Sequence, residues 1–476
     1  MKAEFSSYLN GIAPGLARLI ALLDDFDYAS VLAADSVGFA VRVGQKNMSV
    51  ENRTMTTERG AVLRLAKDGL YTEYAFNRFD PEKPEETAAA ARKAREGQLA
   101  VLAAAGAGIY ETGILPDEPW TIDAAFDTEE TPEGTDQASL LASLKQISDE
   151  GMTLSENLVD VRLAAQTTHI SKLFLTKNRN LRQTYVYSEA VVLPIASKDG
   201  KMVMAYESLS GRVGPELFRG LSGKVAAAVK TTEELLGSDS IEPGEYDIIA
   251  APDIAGLIAH EAFGHGVEMD MFVKGRALGA DYIGKRVGSD LVTMHEGALC
   301  ATNVTTYAFD DEGTPAGDVV EIDRGILKTG ICDALSALRL GTVPTGNGKR
   351  ENFEHKVYTR MTNTIFDSGE STLEEMIASI SFGYLLEGSQ SGMEDPKHWG
   401  IQCIVERGYE IRDGKLTGKV VAPVVMTGYV PDLLGSISML SRDRGVFGSG
   451  GCGKGYKEWV KVADGGPYLK AKARLG

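Results

Sequence analysis

The stretch HEAFGH, residues 260–265, places two of the chain's six histidines and the carboxylate of Glu261 within six positions. It reads as the zinc-peptidase pattern H-E-x-x-H with one residue added. At the usual spacing of four, both imidazoles share a helix face and bind zinc, while the Glu between them serves as base. At a spacing of five, roughly 100° per residue sets the two rings about 140° apart on a regular α-helix, where they cannot share an ion. A single π-type turn with i→i+5 bonding would bring them back to one face. Gly264, just before His265, lets the last turn leave helical geometry. The plainer alternative is a helix end, with His265 capping carbonyls and His260 in the core. Against it stands Glu261, set in a run from Ile254 to Phe263 that is otherwise apolar apart from His260. An unpaired buried carboxylate there is costly.

A catalytic tetrahedral zinc needs a third protein ligand and one open position. The nearby candidates are Glu268, Asp270, His295 and Glu296; a distant one is Cys452, in GSGGCGKGY. Glycines on both sides of Cys452 permit close backbone approach to another segment, and the alternative is a free thiol in a loop. Other motifs carry two readings each. DDEGTP, 310–315, either orients a ligand histidine or is a turn made by Gly313 and Pro315. PTGNGKRE offers backbone donors and Arg350 to a peptide, or is a Gly-rich hairpin; it lacks the spacing of a P-loop. RMTNT reads as an exposed edge that pairs with an extended peptide, or as a buried strand. His295, His355 and His398 are, by default, ordinary core or surface histidines.

These residues need a scaffold. Asp253 follows Pro252 at a helix start, IAGLIAHEAF is apolar with good helix formers, and Gly264 and Gly266 mark the helix end. The short apolar run GEYDIIAAP is the strand that delivers the chain to this helix. Upstream, GLARLIALLDDF, DPEKPEETAAAARKAREGQLAVLAAA, a stretch from about Ser139 to Leu158, and KVAAAVKTTEELLGS read as helices. Residues from DYASVLAADSV to LYTEYAF read as several short strands, and three further β-like runs follow Leu158. YETGILPDEPWTIDAAFDTEETPEGTD, rich in Pro, Gly and acid, reads as a loop and the best first boundary. Helices and strands do not alternate regularly. The expected fold is therefore multi-domain α+β with mixed and antiparallel sheets and the HExxxH helix in the last domain. The expected division is 1–112, 113–225 and 226–476, in keeping with a chain of 476 residues.

With 49 Lys plus Arg against 67 Asp plus Glu, the formal net charge is −18. Such a chain is badly placed to neutralise DNA phosphates, so no direct nucleic-acid contact is expected. The N-terminus lacks a signal-peptide h-region and no run of about twenty apolar residues occurs, which reads as a cytoplasmic protein without a membrane span. Four scattered cysteines without a CxxC pair suit free thiols or a lone metal ligand.

HEAFGHGVEMD, DDEGTPAG, GILKTGICDALSALRLG, PTGNGKRE, RMTNTIF and GCGKGY together resemble the TldD branch of the TldD/PmbA family, through residues 245–476. The resemblance implies a cytoplasmic metalloprotease with His260, His265 and Cys452 as ligands and Glu261 as general base. The metal implied is zinc, with iron or another divalent metal as alternatives. It also implies a PmbA (TldE)-like partner subunit, or pairing with a second copy, and substrates that are unfolded peptides or leader peptides of ribosomal precursors. An older label of the family, modulator of DNA gyrase, is the source of a regulatory alternative. Two parts depart from the family pattern. The stretch GSQSGMEDPKHWGIQC replaces a Gly-Gly-Gln-Val-Asp type of segment, and the N-terminal third diverges. Two rival functions remain from the residues alone: a metal-bearing protein that binds without catalysis, and a regulator associated with nucleic acid.

Overall fold

The computed structural model describes residues 1–106, 111–455 and 458–476. Among these, nine strands form one sheet and eleven form a second. The first is built around β1 (Tyr28–Val43), β2 (Leu158–Leu175) and β3 (Arg179–Lys198), joined antiparallel along nearly their whole lengths. The expected set of short strands is thus led by a single 16-residue strand.

Both faces of this sheet are buried, as a two-sided run of Val, Leu, Ala and Phe requires. Alternation assigns them. Val31, Ala33, Phe39, Val41 and Val43 of β1 pack with the four helices Ser7–Ala21, Pro84–Ala105, Gln137–Met152 and Ser222–Leu236. Leu32 of β1, with Phe174 and Leu181, turns the other way and meets Phe309 of the second half. Helices segregated to one face of a largely antiparallel sheet make this α+β.

Two details differ from the sequence expectation. The helix expected to run from about Ser139 to Leu158 ends at Met152, and β2 starts at Leu158. The Pro- and acid-rich stretch contains a strand, Trp120–Ala125, which adds parallel to β3 from Arg179 to Thr184. Its alternation, Trp-Thr-Ile-Asp-Ala, is short and set among Pro, Gly and acid, so the pairing with β3 is what makes the strand plain. The sheet thus takes strands from both sides of residue 112.

In the second sheet β4 (Gly244–Ala250), β5 (Phe382–Glu394), β6 (Gly400–Arg412), the strand Val424–Tyr429 and β7 (Ala463–Leu475) pair in turn. Because β4 also pairs antiparallel with β7, this part closes on itself as a barrel-like ring. Helix α1 (Pro252–Ala259) leaves β4 at once, and Ile254, Ile258 and Phe263 enter a core with Ile248, Leu386, Trp399 and Leu469. Its approach to β7 is close: a Cβ on Gly256 would stand 2.6 Å from the Gly465 nitrogen.

The DDEGTP motif joins the two halves. It is a turn, with Gly313 at φ 72 lying on the Phe174 ring and Asp310 accepting from the amides of Glu312, Thr314 and Gly348. Glu312 pairs with Arg64, and Asp311 with Lys172 of the first sheet. PTGNGKRE is not a hairpin by itself: its Gly348–Lys349 is one short arm, paired antiparallel with Tyr358–Thr359 beyond the motif. Arg350 is not free for a substrate, since it is buried and bound to Glu73. RMTNT leads into Asn363–Phe366, an interior strand between Met294–Glu296 and β7, so no edge is exposed there.

Candidate metal centre

Pro252 suits the first turn of α1, where its missing N–H is no loss. Asp253 beside it accepts from the amides of Gly388 and Ser389 of β5, which fixes the helix start against that strand. The helix then changes pitch. Residues His260–Gly264 form a π turn, and the His265 amide donates to the His260 carbonyl, an i→i+5 bond. This is the turn that a five-residue spacing requires. Gly264 fits because a Cβ there would stand 2.3 Å from the Met361 sulfur.

The two imidazoles consequently meet edge to face, with centroids 5.1 Å apart. Cys452 arrives on the short strand Gly451–Lys454, and its Sγ lies 3.2 Å from His265 Nε2. One donor atom from each of His260, His265 and Cys452 fits within 4.8 Å of the others, and among the described residues this is the one such group of His, Cys, Asp or Glu. His260 and Cys452 are buried, and His265 is partly exposed.

Electrostatics bind the three together. Burial opposes charge on every member, yet His265 and His260 hold the Cys452 thiol well below its usual range. Burial likewise lowers both imidazoles, but the thiolate outweighs it, holding His260 up at about 9 and His265 well above its ordinary value. A thiolate that draws positive charge to itself between two imidazoles is the donor set of a soft or borderline cation. His260 Nδ1 is buried with no hydrogen-bond partner, 3.9 Å from Asp464 Oδ2.

A second layer orients these donors. Glu268 Oε2 is 3.1 Å from His265 Nδ1, leaving Nε2 to face the sulfur. Burial works to raise the Glu268 carboxyl, but Lys454, His265 and Arg360 pull it down to about 2. Lys454 bridges Glu268 at 3.0 Å and Asp270 at 2.7 Å, while Arg360 donates to the Cys452 carbonyl at 2.7 Å. Of the nearby ligand candidates, Glu268 and Asp270 therefore belong to this supporting layer. Glu296 lies elsewhere, fully buried and held by Thr362, Thr364 and Asn347. His295 pairs with Asp318 and Asp367, and His355 and His398 sit beside Glu458 and Asp395.

Glu261 is 6% exposed, and no hydrogen bond from the described residues reaches its carboxylate. β5 presses directly on it: a Cβ on Gly392 would lie 2.4 Å from Glu261 Cγ. The residues that sequence reasoning missed cluster here. Gly392, Glu394 and Trp399 all belong to the divergent stretch GSQSGMEDPKHWGIQC, and the Trp399 ring packs on Phe263 at 5.3 Å and Tyr282 at 4.6 Å. Burial pushes the Glu394 carboxyl up to about 9 against the pull of His265. The one available signal was the departure itself. Lys454 and Arg360 were inside quoted motifs, with nothing local to mark their partners.

Residues 243–470 match the model of the PmbA/TldA metallopeptidase C-terminal domain. A metalloprotease of Synechocystis sp. is 27% identical over 94% of both chains. A zinc metalloprotease TldD homolog of Saccharolobus solfataricus is 29% identical over 60% of this chain and 63% of its own. The chain spans only about half the length of several other curated metalloproteases it matches. The crystal structure of TldE from Thermococcus kodakarensis has the same fold at a TM-score of 0.76 and 19% identity, over 97% of this chain and 100% of that one.

Proposed function

The chain belongs to the TldD/PmbA family, and we propose that it is a metal-dependent peptidase acting on extended or unfolded peptides, leader peptides among them. His260, His265 and Cys452 are the metal donors in this reading, and Glu261 is the general base. The observation that carries it is the convergence of two imidazoles and a thiolate beside a buried carboxylate that no hydrogen bond from the described residues reaches.

Zinc suits two nitrogens and one sulfur, and three protein donors leave the fourth tetrahedral position that marks a catalytic site. Iron or another divalent metal shares the nitrogen preference. Bound there, the metal would supply Lewis acidity toward a carbonyl and would acidify a water. The remaining work falls to the protein. Glu261 takes the proton of the attacking water and passes it to the leaving amine. Glu268, held by Lys454 and Arg360, keeps His265 in the tautomer with Nε2 free. Past Ser389, the edge of β5 away from β6 has no strand partner among the described residues, and it runs by Glu261 at Gly392. An extended peptide fits such an edge by main-chain hydrogen bonds. The setting we infer is cytoplasmic, with a TldE-like subunit or a second copy as partner.

A metal-bearing protein that binds without catalysis is the rival, and it has no use for a buried base. Glu261→Gln separates the two. We expect peptide turnover to fall by about 10²–10⁴-fold with metal content unchanged. Equal turnover in wild type and variant, or no turnover of any unfolded peptide by the metal-loaded wild type with its partner, would sink the peptidase reading.

A further inference from the structure

Residues of a strand alternate between its faces, so Gly392 and Glu394 of β5 point the same way and Met393 the other. Met393 is 69% exposed, whereas Gly392 abuts Glu261. Glu394 accordingly turns toward the metal centre. Its Oε1 lies 3.5 Å from the position of a Cβ on Gly266, the residue after His265. Both of its oxygens are buried, and neither has a hydrogen-bond partner among the described residues.

A carboxyl is rarely left so, because its oxygens lose water and gain nothing, and burial favours its neutral form until a cation arrives to pair with it. The neighbouring cations are already engaged: Lys454 holds Glu268 and Asp270, Arg360 holds the Cys452 carbonyl, and the two ring nitrogens of His265 face Glu268 and the Cys452 sulfur. Trp399 Nε1 is the matching orphan. It is a buried donor without an acceptor, 3.7 Å from the same Gly266 Cβ position. Trp399 adopts φ 59, an uncommon conformation for a bulky residue, at the end of the turn that links β5 to β6. An unsatisfied acceptor and an unsatisfied donor thus flank one point beside the site, on a stretch where this chain departs from its family. Glu394 as a whole is only partly buried, although both carboxylate oxygens are covered.

We propose that Glu394 is a specificity-determining residue that receives a positively charged group of the substrate, either an N-terminal α-ammonium or a Lys or Arg side chain, close to the bond to be cut. This deepens the peptidase reading and rests on it for the position of that bond. Trp399 Nε1 donates to a main-chain carbonyl of the same substrate residue. Glu261, Glu268 and Asp395 add negative potential around Glu394, so acidic side chains are disfavoured at this subsite.

The test measures binding in the metal-loaded Glu261→Gln background, using extended peptides in pairs. One pair differs by N-terminal acetylation, and the other series replaces Lys by Gln at each position in turn. The charged member of at least one pair should bind about tenfold tighter or more, as a charge-assisted hydrogen bond allows. Preference in the first pair identifies an α-ammonium, and preference in the second a side chain. Adding Glu394→Gln should erase that ratio, and Glu394→Lys should invert it toward peptides carrying Asp or Glu. Equal affinity for charged and neutral members, or a ratio that survives Glu394→Gln, would overturn the proposal. So would loss of metal in Glu394→Gln, since the residue would then serve the metal centre. Failure of the wild type to cleave any of these peptides would count against the peptidase reading, while the binding ratio would still decide the role of Glu394.

Discussion

The sulfur of Cys452 lies 3.2 Å from Nε2 of His265, a residue 187 positions earlier in the chain. No local pattern brings these two atoms together. The π turn at His260–Gly264 and the hairpin Gly451–Lys454 against Glu458–Lys461 do so jointly.

The first expectation concerns metal content. Wild-type protein purified without chelator should carry close to one equivalent of zinc or another divalent metal. Cys452→Ser and His265→Ala should each lower that content at least about tenfold, since each removes one of the three proposed donors. Elemental analysis per chain reads the outcome, and full metal in Cys452→Ser would remove Cys452 from the donor set.

Glu268 holds His265 without belonging to the donor trio. Glu268→Gln should keep the metal bound but weaken it about 10- to 100-fold in competition with a chelator, the usual cost of disturbing a ligand's orienting partner. Unchanged affinity would mean that packing alone orients His265.

Gly392→Ala is a geometric probe of Glu261, the proposed base. A Cβ at 2.4 Å from Glu261 Cγ forces that side chain to move, because real contacts do not come so near. Displacement by about 1 Å can cost 10²-fold in rate, so turnover should fall by about that factor while metal content stays at the wild-type level. Full activity in this variant would show that Glu261 need not stand where it does.

Away from the site, Glu58 gives a pH signature. Burial pushes its carboxyl up from 4.5 to about 7, against Lys172, Arg350 and the Phe353 amide, with Asp311 adding to the rise. A carboxyl raised on folding stabilises fully below the unfolded value, and that contribution is lost as pH climbs through the folded one. Between pH 4.5 and 7 wild type should therefore lose about 3 kcal/mol from this group, and Glu58→Gln should flatten the denaturation midpoint over that window. Parallel curves for the two proteins would rule the contribution out.

The helix and its altered pitch were legible in advance. A spacing of five between His260 and His265, with Gly264 in front of the second, left one geometry in which both rings share a face. Cys452 was legible only through family resemblance, because glycines on each side say that a backbone can come close but not to what. The strand Trp120–Ala125 was hidden for a different reason: it sits among Pro, Gly and acid and owes its state to Arg179–Thr184 of β3. Glu394 was hidden as well. Its direction follows from the pairing of β5 with β6 and from Gly392 seating on Glu261, both tertiary facts.

The order in which the donors are synthesised has a consequence for the cell. His265 leaves the ribosome 187 residues before Cys452, and β7, which seats α1, follows later still. At about 5–20 residues per second, that interval lasts on the order of ten seconds or more. Throughout it the HEAFGH turn has no sulfur to complete its set. Under the peptidase reading proposed above, the delay keeps the nascent polypeptide without its third donor while it is itself unfolded, and the arrival of Cys452 and β7 both completes the set and closes the barrel.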